Sequence, residues 1–459
     1  MSRSAELGRP SAPVEVQAWL EEAGVSAVIL GFVDPSMIVR AKCVPTARFA
    51  TVAAAGVGIS TLFNVAMSND KFALLPGYID GPSGDLRLRP DPSATVPLAA
   101  MPGWAWAPVD QYTQEGEAFP ACPRAFARRM TDAFVERGVF VKAVFEFEFS
   151  VGVPDDDGGF QPAHEGPGYS DIALVRNHDF ALDLITTIES QGLGLQQFHP
   201  EYADGQFEIS IAPRSPVAAA DAAMVVRQTV RAVARRHGFI ASFAPQVGPD
   251  TGNGAHAHLS LWEGDRNLMA GGAGPAGMHE RGEAFVAGML HELGAIVGVT
   301  VPTSLGYKRL QPHHWSGAMQ CWGTENREAA VRFVAGVTPA TADAANVEIK
   351  PVDGTANPYL AIGSMLAAAL HGLDTDDRLP PSTEEDPETL PDDVKAARGV
   401  RQLPGSLREA TEQLAASSVL REAMGDFLFE TFLATRRGEV EQYAGIDDDE
   451  LIRRLRWRY

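Results

Sequence analysis

The clearest pattern along the chain is a strict alternation of apolar and polar residues over positions 145–150, just after Val144, within Val-Lys-Ala-Val-Phe-Glu-Phe-Glu-Phe-Ser. A strand turns successive side chains to opposite faces, so Phe145, Phe147 and Phe149 share one face and Glu146 and Glu148 the other. Two neighbouring carboxylates repel each other. The pair reads either as a solvated sheet edge or as a divalent-cation site, whose oxygen-seeking ion cancels the repulsion. A second alternating run places His256, His258 and Ser260 on one face and Ala257, Leu259 and Leu261 on the other. It reads as a polar sheet face or as one wall of a pocket, and the glycines before it let backbone approach a ligand. Glu208 falls on a further strand with Glu201 just before the preceding turn. In Asn346-Val-Glu-Ile-Lys350, Glu348 and Lys350 share a strand face.

Around these strands the punctuation is mostly helical. Helices are predicted over 13–23 (stopped by Gly24), 123–137 (stopped by Gly138) and 179–191 (capped by Asp179). Others are predicted over 216–237 (Ser215 as N-cap), 289–298, 358–372 (Asn357 as cap, Gly372 as stop) and through much of 405–459. Strands are predicted over 27–32 and 37–43, flanking an Asp-Pro-Ser turn. Residues 76–97, 154–168 and 302–322 read as loop or irregular chain, 113–123 as a connection into a larger domain, and 375–393 as an exposed acidic, proline-rich loop.

Composition narrows the function. The chain has 459 residues, enough for two or three domains, with 45% hydrophobic and 21% charged residues. Its formal charge of −21 argues against a nucleic-acid partner, though not against an anionic small substrate held in a locally basic site. Cys43, Cys122 and Cys321 show no paired spacing, which points to a reducing, cytoplasmic setting. Residues 1–8 lack signal-peptide order, and the most apolar run, 52–67, is too interrupted to span a bilayer, so no membrane partner is expected.

Taken together, at least four strands carry acids, histidines or basic groups on one face and apolar residues on the other. This is the pattern of a curved, mostly antiparallel sheet lining a polar tunnel, with helices behind it. Five glutamates and a histidine facing one tunnel require metal.

The order of motifs resembles the glutamine synthetase superfamily, type I-like. The matching blocks are Glu146/Glu148, Glu201 with Gly205-Gln206-Phe-Glu208, Gly254-Ala-His256-Ala-His258-Leu-Ser260 and Tyr307-Lys-Arg309-Leu. They continue with Asn326-Arg327 and Arg332, then Glu348, Asp353 and Ala356-Asn-Pro-Tyr359. Gln311-Pro-His-His-Trp-Ser-Gly317, Cys321-Trp-Gly and Val347-Glu-Ile-Lys-Pro are similar to the glutamine synthetase-like domains of plant nodulin-type and fungal developmental proteins. The resemblance implies an α+β protein with a small N-terminal β-grasp domain (1–112) and a C-terminal catalytic domain (113–459). It implies ring-shaped homo-oligomers, often dodecamers, with sites between subunits. It implies ATP and Mg²⁺ or Mn²⁺, with Glu148, Glu201 and Glu208 holding one ion and Glu146, His256 and Glu348 a second. His258, Ser260 and Asn346 would lie on the ATP side, Arg309 would hold a glutamate-like acid, and Arg327 and Arg332 would clamp the transferred phosphate.

The implied chemistry follows from charge. A carboxylate attacks the γ-phosphorus of ATP, metals and arginines offset the repulsion, and the resulting acyl phosphate is attacked by an amine away from water. The departures bear on which amine. Trp315 stands at the family's flap glutamate, and no acid occurs over 56–63, where the family draws in ammonium with an aspartate. Lys350 and Asn346 replace arginines, and Thr251 an asparagine. No tyrosine occurs between Tyr359 and Tyr443, so the adenylylation switch of some bacterial relatives is not expected. Losing two carboxylates removes the attraction for a small cation, and a tryptophan offers an apolar wall with a cation–π face. The reading is a ligase joining glutamate, or a similar acid, to an organic amine. The alternatives are glutamine synthetase itself and a catalytically silent scaffold.

Overall fold

The computed structural model describes residues 10–155, 158–248 and 252–459. Residues 1–8 and Thr251, both used above, lie outside the described residues.

The first part of the chain forms a mixed sheet of β1 (Ala27–Val33), β2 (Val39–Pro45), β3 (Val57–Ser60), β4 (Asp85–Pro90), β5 (Val96–Pro97) and β6 (Trp104–Tyr112). Its order is β2-β1-β6-β4-β3, with β5 beside β6. The β1–β6 pair is parallel and the remaining pairs antiparallel. β4 lies inside the stretch expected to be loop. Its arginines and flanking prolines hide an alternation in which Leu86 and Leu88 are buried.

Two further sheets make up the rest. One contains β10 (Leu195–Pro200), β11 (Gln206–Ile211), β8 (Phe147–Val153) and β12 (Ile240–Ser242) in that order, with β9 (Gln161–Pro162) on β8. The other runs β14 (Arg266–Asn267), β13 (Ala257–Glu263), β17 (Asn346–Ile349), β16 (Ala329–Val334), β15 (Met319–Thr324) and β18 (Arg401–Gln402), with β7 (Phe140–Phe145) also on β13. Antiparallel pairing dominates, as expected, but β15 and β16 run parallel. The alternating strand of the sequence is divided at Glu146, so β7 and β8 belong to different sheets. Hydrogen bonding continues across the break: Glu146 N–H donates to His256 O at 2.9 Å and Glu148 N–H to Gly254 O at 3.0 Å. The two sheets therefore meet along a seam marked by these four residues.

Behind the seam Phe145, Phe147 and Phe149 are buried, and Phe147 packs edge-on against Phe243 at 5.8 Å. Helices Pro123–Glu136, Pro216–Arg236, Glu280–His291 and Pro358–Thr375 cover this side. The last runs past Gly372, the expected stop. A Cβ at Gly372 would lie 2.3 Å from Ala284 O and 2.7 Å from Gly288 Cα, so this glycine serves a close helix crossing. The helix expected from Asp179 is His178–Ser190. Asn177 precedes it, and Asp179 sits in its first turn, where an acid suits the helix dipole. The C-terminal stretch forms helices Leu407–Ala416, Ser418–Met424, Asp426–Gln442 and Asp448–Leu455. One continuous apolar core reaches from Val16 to Tyr459. Among the described residues, no single helix is long and apolar enough to cross a membrane.

Candidate active site

Register builds the site. Across β10, β11 and β8, His199 stands opposite Glu208 and Glu208 opposite Glu148. Across β13, β17 and β16, His258 stands opposite Glu348 and Glu348 opposite Arg332. The seam residues Glu146 and His256 join these two rows of polar side chains.

The first row is short of positive charge. His199 Nε2 lies 3.1 Å from Glu208 Oε1, and its Nδ1 lies 3.6 Å from Glu201 Oε1. Burial, with Glu146, Glu148 and Glu201 nearby, pushes the Glu208 carboxyl up to about 8 despite the hydrogen bond to His199. The same hydrogen bond is the main reason that His199 rises to about 9. Glu201 is also raised, chiefly by burial. Glu148 accepts from Gln206 Nε2 at 3.0 Å and from Gly254 N–H at 2.8 Å. His199, Glu201 and Glu208 each turn one donor atom into a group no wider than 4.8 Å.

The second row is better balanced. Glu348 is 2% exposed, with Lys350 Nζ 3.1 Å from Oε1 and Arg332 Nη1 2.9 Å from Oε2. Burial favours its neutral form, but Lys350, the two histidines and Arg332 outweigh it and hold the carboxyl well below its usual range. Glu146 is partly buried, which opposes its charge, yet it is lowered, mainly by its hydrogen bond with His256 and the adjacent imidazoles. Glu146, His258 and Glu348 form a second group of donor atoms within 4.8 Å. Oxygen-rich donors with one imidazole suit a divalent cation. His258 Nε2 is buried without a hydrogen-bond partner among the described residues, which also fits a cation.

Arg309 Nη2 reaches His256 Nε2 at 3.0 Å. Gly254 makes room, since a Cβ there would lie 2.4 Å from that Nη2. Ser260, on β13, accepts from Trp262 Nε1 at 2.8 Å. Arg327 and Trp315 are exposed at the rim, with the guanidinium 5.7 Å from the centre of the indole ring.

An aromatic wall flanks the first row. Tyr169 lies 5.4 Å from His199 and 5.2 Å from Tyr202, and Tyr202 meets Trp315 edge-on at 5.6 Å. Partial burial, with the Glu201 carboxylate beside it, raises the half-exposed Tyr169 phenol far above its ordinary value. Beyond Trp315, an open cleft of about 390 Å³ is bordered by Glu325, Glu328, Glu384, Glu385 and Asp386. The last three come from the acidic stretch expected to be an exposed loop. It is exposed at Glu384 and Glu385 as expected, yet tied down: Asn326 Nδ2 donates to Thr383 O and Glu385 O at 2.8 and 2.9 Å.

The structure brings all six glutamates and histidines singled out as ligands to this seam, together with Arg309, Arg332, Lys350 and Asn346, but the two close donor groups among the described residues contain His199 and His258 rather than Glu148 and His256. Sequence reasoning missed His199, Tyr169, Tyr202 and Glu328, and gave Gln206 only as part of a matching motif. Only His199 carried a local signal, its two-residue spacing from Glu201.

Comparison with known proteins agrees with this arrangement. Residues 120–453 match the glutamine synthetase catalytic domain. Gamma-glutamylpolyamine synthetase GlnA3 of Streptomyces coelicolor is 46% identical over 439 residues, covering 95% of this chain and 94% of that protein. A glutamine synthetase of Halobacterium salinarum is 32% identical over 393 residues, covering 83% and 85%. Among solved structures, a glutamine synthase homolog superposes with a TM-score of 0.83 at 32% identity, covering 95% and 99% of the two chains. A GmaS/ADP complex gives 0.81 at 28%, covering 95% and 97%. The chain belongs to the glutamine synthetase family, whose members are ATP-dependent ligases.

Proposed function

We propose that this protein activates the γ-carboxylate of glutamate, or of a close acid, with ATP and joins it to an organic amine, a polyamine being the first candidate. The observation that carries this reading is the wall of Tyr169, Tyr202 and Trp315 beside the Glu201/Glu208 row. Exposed aromatic rings hold an alkyl chain and attract its ammonium groups. The carboxylate-bordered cleft beyond Trp315 suits further positive charges on the same amine. The 46% identical relative is named for polyamine ligation, in agreement.

In this reading Arg309 holds the acid, and Arg327 and Arg332 take the phosphoryl group as a carboxylate oxygen attacks the γ-phosphorus and ADP leaves. The amine nitrogen then attacks the acyl carbon, phosphate departs and the amine loses a proton. Glu148, Glu201 and Glu208 would hold one divalent cation, and Glu146 and Glu348 with an imidazole a second. Mg²⁺ or Mn²⁺ there would supply the positive charge that the anionic reactants need. His258, Ser260 and Asn346 border the nucleotide, Lys350 keeps Glu348 ionised, and Trp315 shields the acyl phosphate from water. We also assign residues 1–112 to a β-grasp domain, supported by the parallel β1–β6 pair within a mixed sheet, and 113–459 to the catalytic domain. The family likeness supports a homo-oligomeric ring with sites between subunits. Three free cysteines support a cytoplasmic setting.

The test is phosphate release by purified protein with ATP, Mg²⁺ and glutamate against a panel of amines, with products identified by mass. An organic amine should exceed ammonia in kcat/KM. Ammonia as the best substrate would make the protein a glutamine synthetase. No release with any pair would make it a scaffold.

A further inference from the structure

Of the two arginines assigned to the phosphoryl group, Arg327 stands exposed at the rim and Arg332 lies further in, partly buried on β16. The Arg332 guanidinium is already engaged by two carboxylates. Its Nη1 donates to Glu348 Oε2 at 2.9 Å and its Nη2 to Glu325 Oε2 at 2.5 Å. Its Nε is buried without a hydrogen-bond partner among the described residues. Lys350 Nζ holds the other oxygen of Glu348 at 3.1 Å. Along this chain of side chains, Arg332 and Lys350 are cancelled by Glu348 and Glu325. A phosphoryl group is anionic and needs an excess of positive charge where it docks, so one of the two acids has to let go.

The two acids differ in how readily they can do so. Glu348 is buried between Arg332 and Lys350. Glu325 is 46% exposed, and its Oε1 accepts from the Ala335 amide at 3.1 Å. Its backbone has φ 53°, in the left-handed region that residues with side chains seldom occupy. Glu325 also borders the open cleft beyond Trp315, with Glu328, Glu384, Glu385 and Asp386. One half-exposed carboxylate thus touches both the phosphoryl clamp and the cleft assigned to the positive charges of the amine.

We propose that Glu325 is a positioning residue that couples these two places. It neutralises Arg332 until a cationic amine enters the cleft, then turns to the amine and leaves the guanidinium to the phosphoryl group. The proposal rests on the ligase reading, which puts the phosphoryl group at Arg332 and the charge of the amine in the cleft. It ties formation of the acyl phosphate to the presence of the amine, so that the intermediate does not form where only water could attack it. By linkage, the amine and the γ-phosphate strengthen each other's binding by the same factor.

The experiment is calorimetric titration of the full-length protein, in Mg²⁺, with a non-hydrolysable ATP analogue or with ADP, each with and without 1,4-diaminobutane. In wild type the diamine should tighten the analogue about fivefold or more and leave ADP unchanged, and the analogue should tighten the diamine equally. Glu325→Gln keeps the shape of the side chain and removes its charge. Without diamine it should bind the analogue about as tightly as wild type does with it, and the diamine should add nothing. ATP hydrolysis with glutamate but no amine should rise about fivefold or more in this variant, in which water returns the acyl phosphate to acid and phosphate. A merely structural role would not produce that gain. Glu325→Asp, which keeps the charge, should restore most of the coupling. Equal analogue affinity in wild type and Glu325→Gln, or a diamine effect of the same size in both, would overturn the proposal. Should Glu325→Gln fail to fold, wild type decides, since analogue and diamine that bind independently would overturn it as well. Mutual tightening in a protein that forms no γ-glutamyl amide would overturn the amide-forming step of the ligase reading and leave the coupling standing.

Discussion

Two buried acidic clusters in this molecule look alike in composition and differ in what they are for. In one, Asp91, Asp110 and Asp221 surround Arg124, which is 3% exposed and reaches the three carboxylates at 2.7, 3.1 and 2.9 Å. Arg128 adds a second cation on Asp110 at 2.8 Å, and Tyr359 donates to Asp221 at 2.7 Å. Burial alone would raise Asp91, but Arg124 outweighs it and holds the carboxyl below its ordinary value. In the other cluster, Glu148, Glu201 and Glu208 meet one imidazole, and Glu208 is pushed up to about 8, chiefly by burial. The first cluster supplies its own counter-charge and joins β6 to helices Pro123–Glu136 and Pro216–Arg236. The second lacks such a counter-charge, and in the proposed reading a bound ion would supply it. Of these two clusters, the one that joins structural elements is neutralised from within, and the one assigned to chemistry is kept in deficit.

The largest expected effect breaks the balanced cluster. Arg124→Met leaves three carboxylates without their central cation and should cost about 3–5 kcal/mol in urea unfolding. The loss should depend on pH. Asp91 has a folded pKa below its unfolded one, so its stabilisation is present above about pH 4 and fades as pH falls further. The gap between wild type and variant should therefore narrow from pH 7 toward pH 3. A gap independent of pH would mean that Arg124 acts through packing.

Next comes the opposite substitution in the deficient cluster. Glu208→Gln removes a carboxyl whose ionisation burial opposes, so the metal-free protein should melt at or slightly above the wild-type temperature, a gain of up to about 1 kcal/mol. Wild type should gain about 2.7 kcal/mol from Mn²⁺ at a hundred times its dissociation constant. The variant should lose most of that gain, and turnover with it. A variant that is less stable without metal would place Glu208 with the structural acids.

The sequence showed which residues matter more readily than how they group. Alternation alone placed Phe145, Phe147 and Phe149 in the core and Glu146 and Glu148 opposite them. It did not show the break at Glu146, because that break is set by pairing with Gly254 and His256, more than a hundred residues away. His199 enters the site through its register with Glu208, which no local pattern encodes. Gly372 read as a helix stop because its partner across the crossing, Gly288, is remote in sequence.

At the rim the comparison concerns the amine. Trp315→Glu would restore a carboxylate beside Tyr202 and shift the kcat/KM ratio toward ammonia by about 10- to 100-fold, or about 1.4–2.7 kcal/mol. No change in the ratio, with the protein folded, would remove Trp315 from amine selection.

The smallest effect concerns what holds that tryptophan. His313 and Trp315 both have positive φ, 63° and 51°, a conformation costing roughly 1–3 kcal/mol for such residues. Glu328 accepts from both of their amides, at 3.2 Å from His313 and 3.1 Å from Trp315, one to each carboxylate oxygen. This acid is balanced by backbone N–H groups rather than by a cation or an ion. Glu328→Ala should let the loop relax, speed amide exchange over residues 313–315 and raise the amine KM several-fold, about 1 kcal/mol. The KM values for ATP and the acid should stay as they were. Glu328→Gln keeps one good acceptor and should fall between. If exchange and KM are unmoved, the loop is held at its base, where Ser316 Oγ accepts from Gln311 N–H at 3.2 Å and donates to Gln311 O at 3.0 Å. The carboxylate of Glu328 would then count among those kept in deficit at the mouth of the cleft.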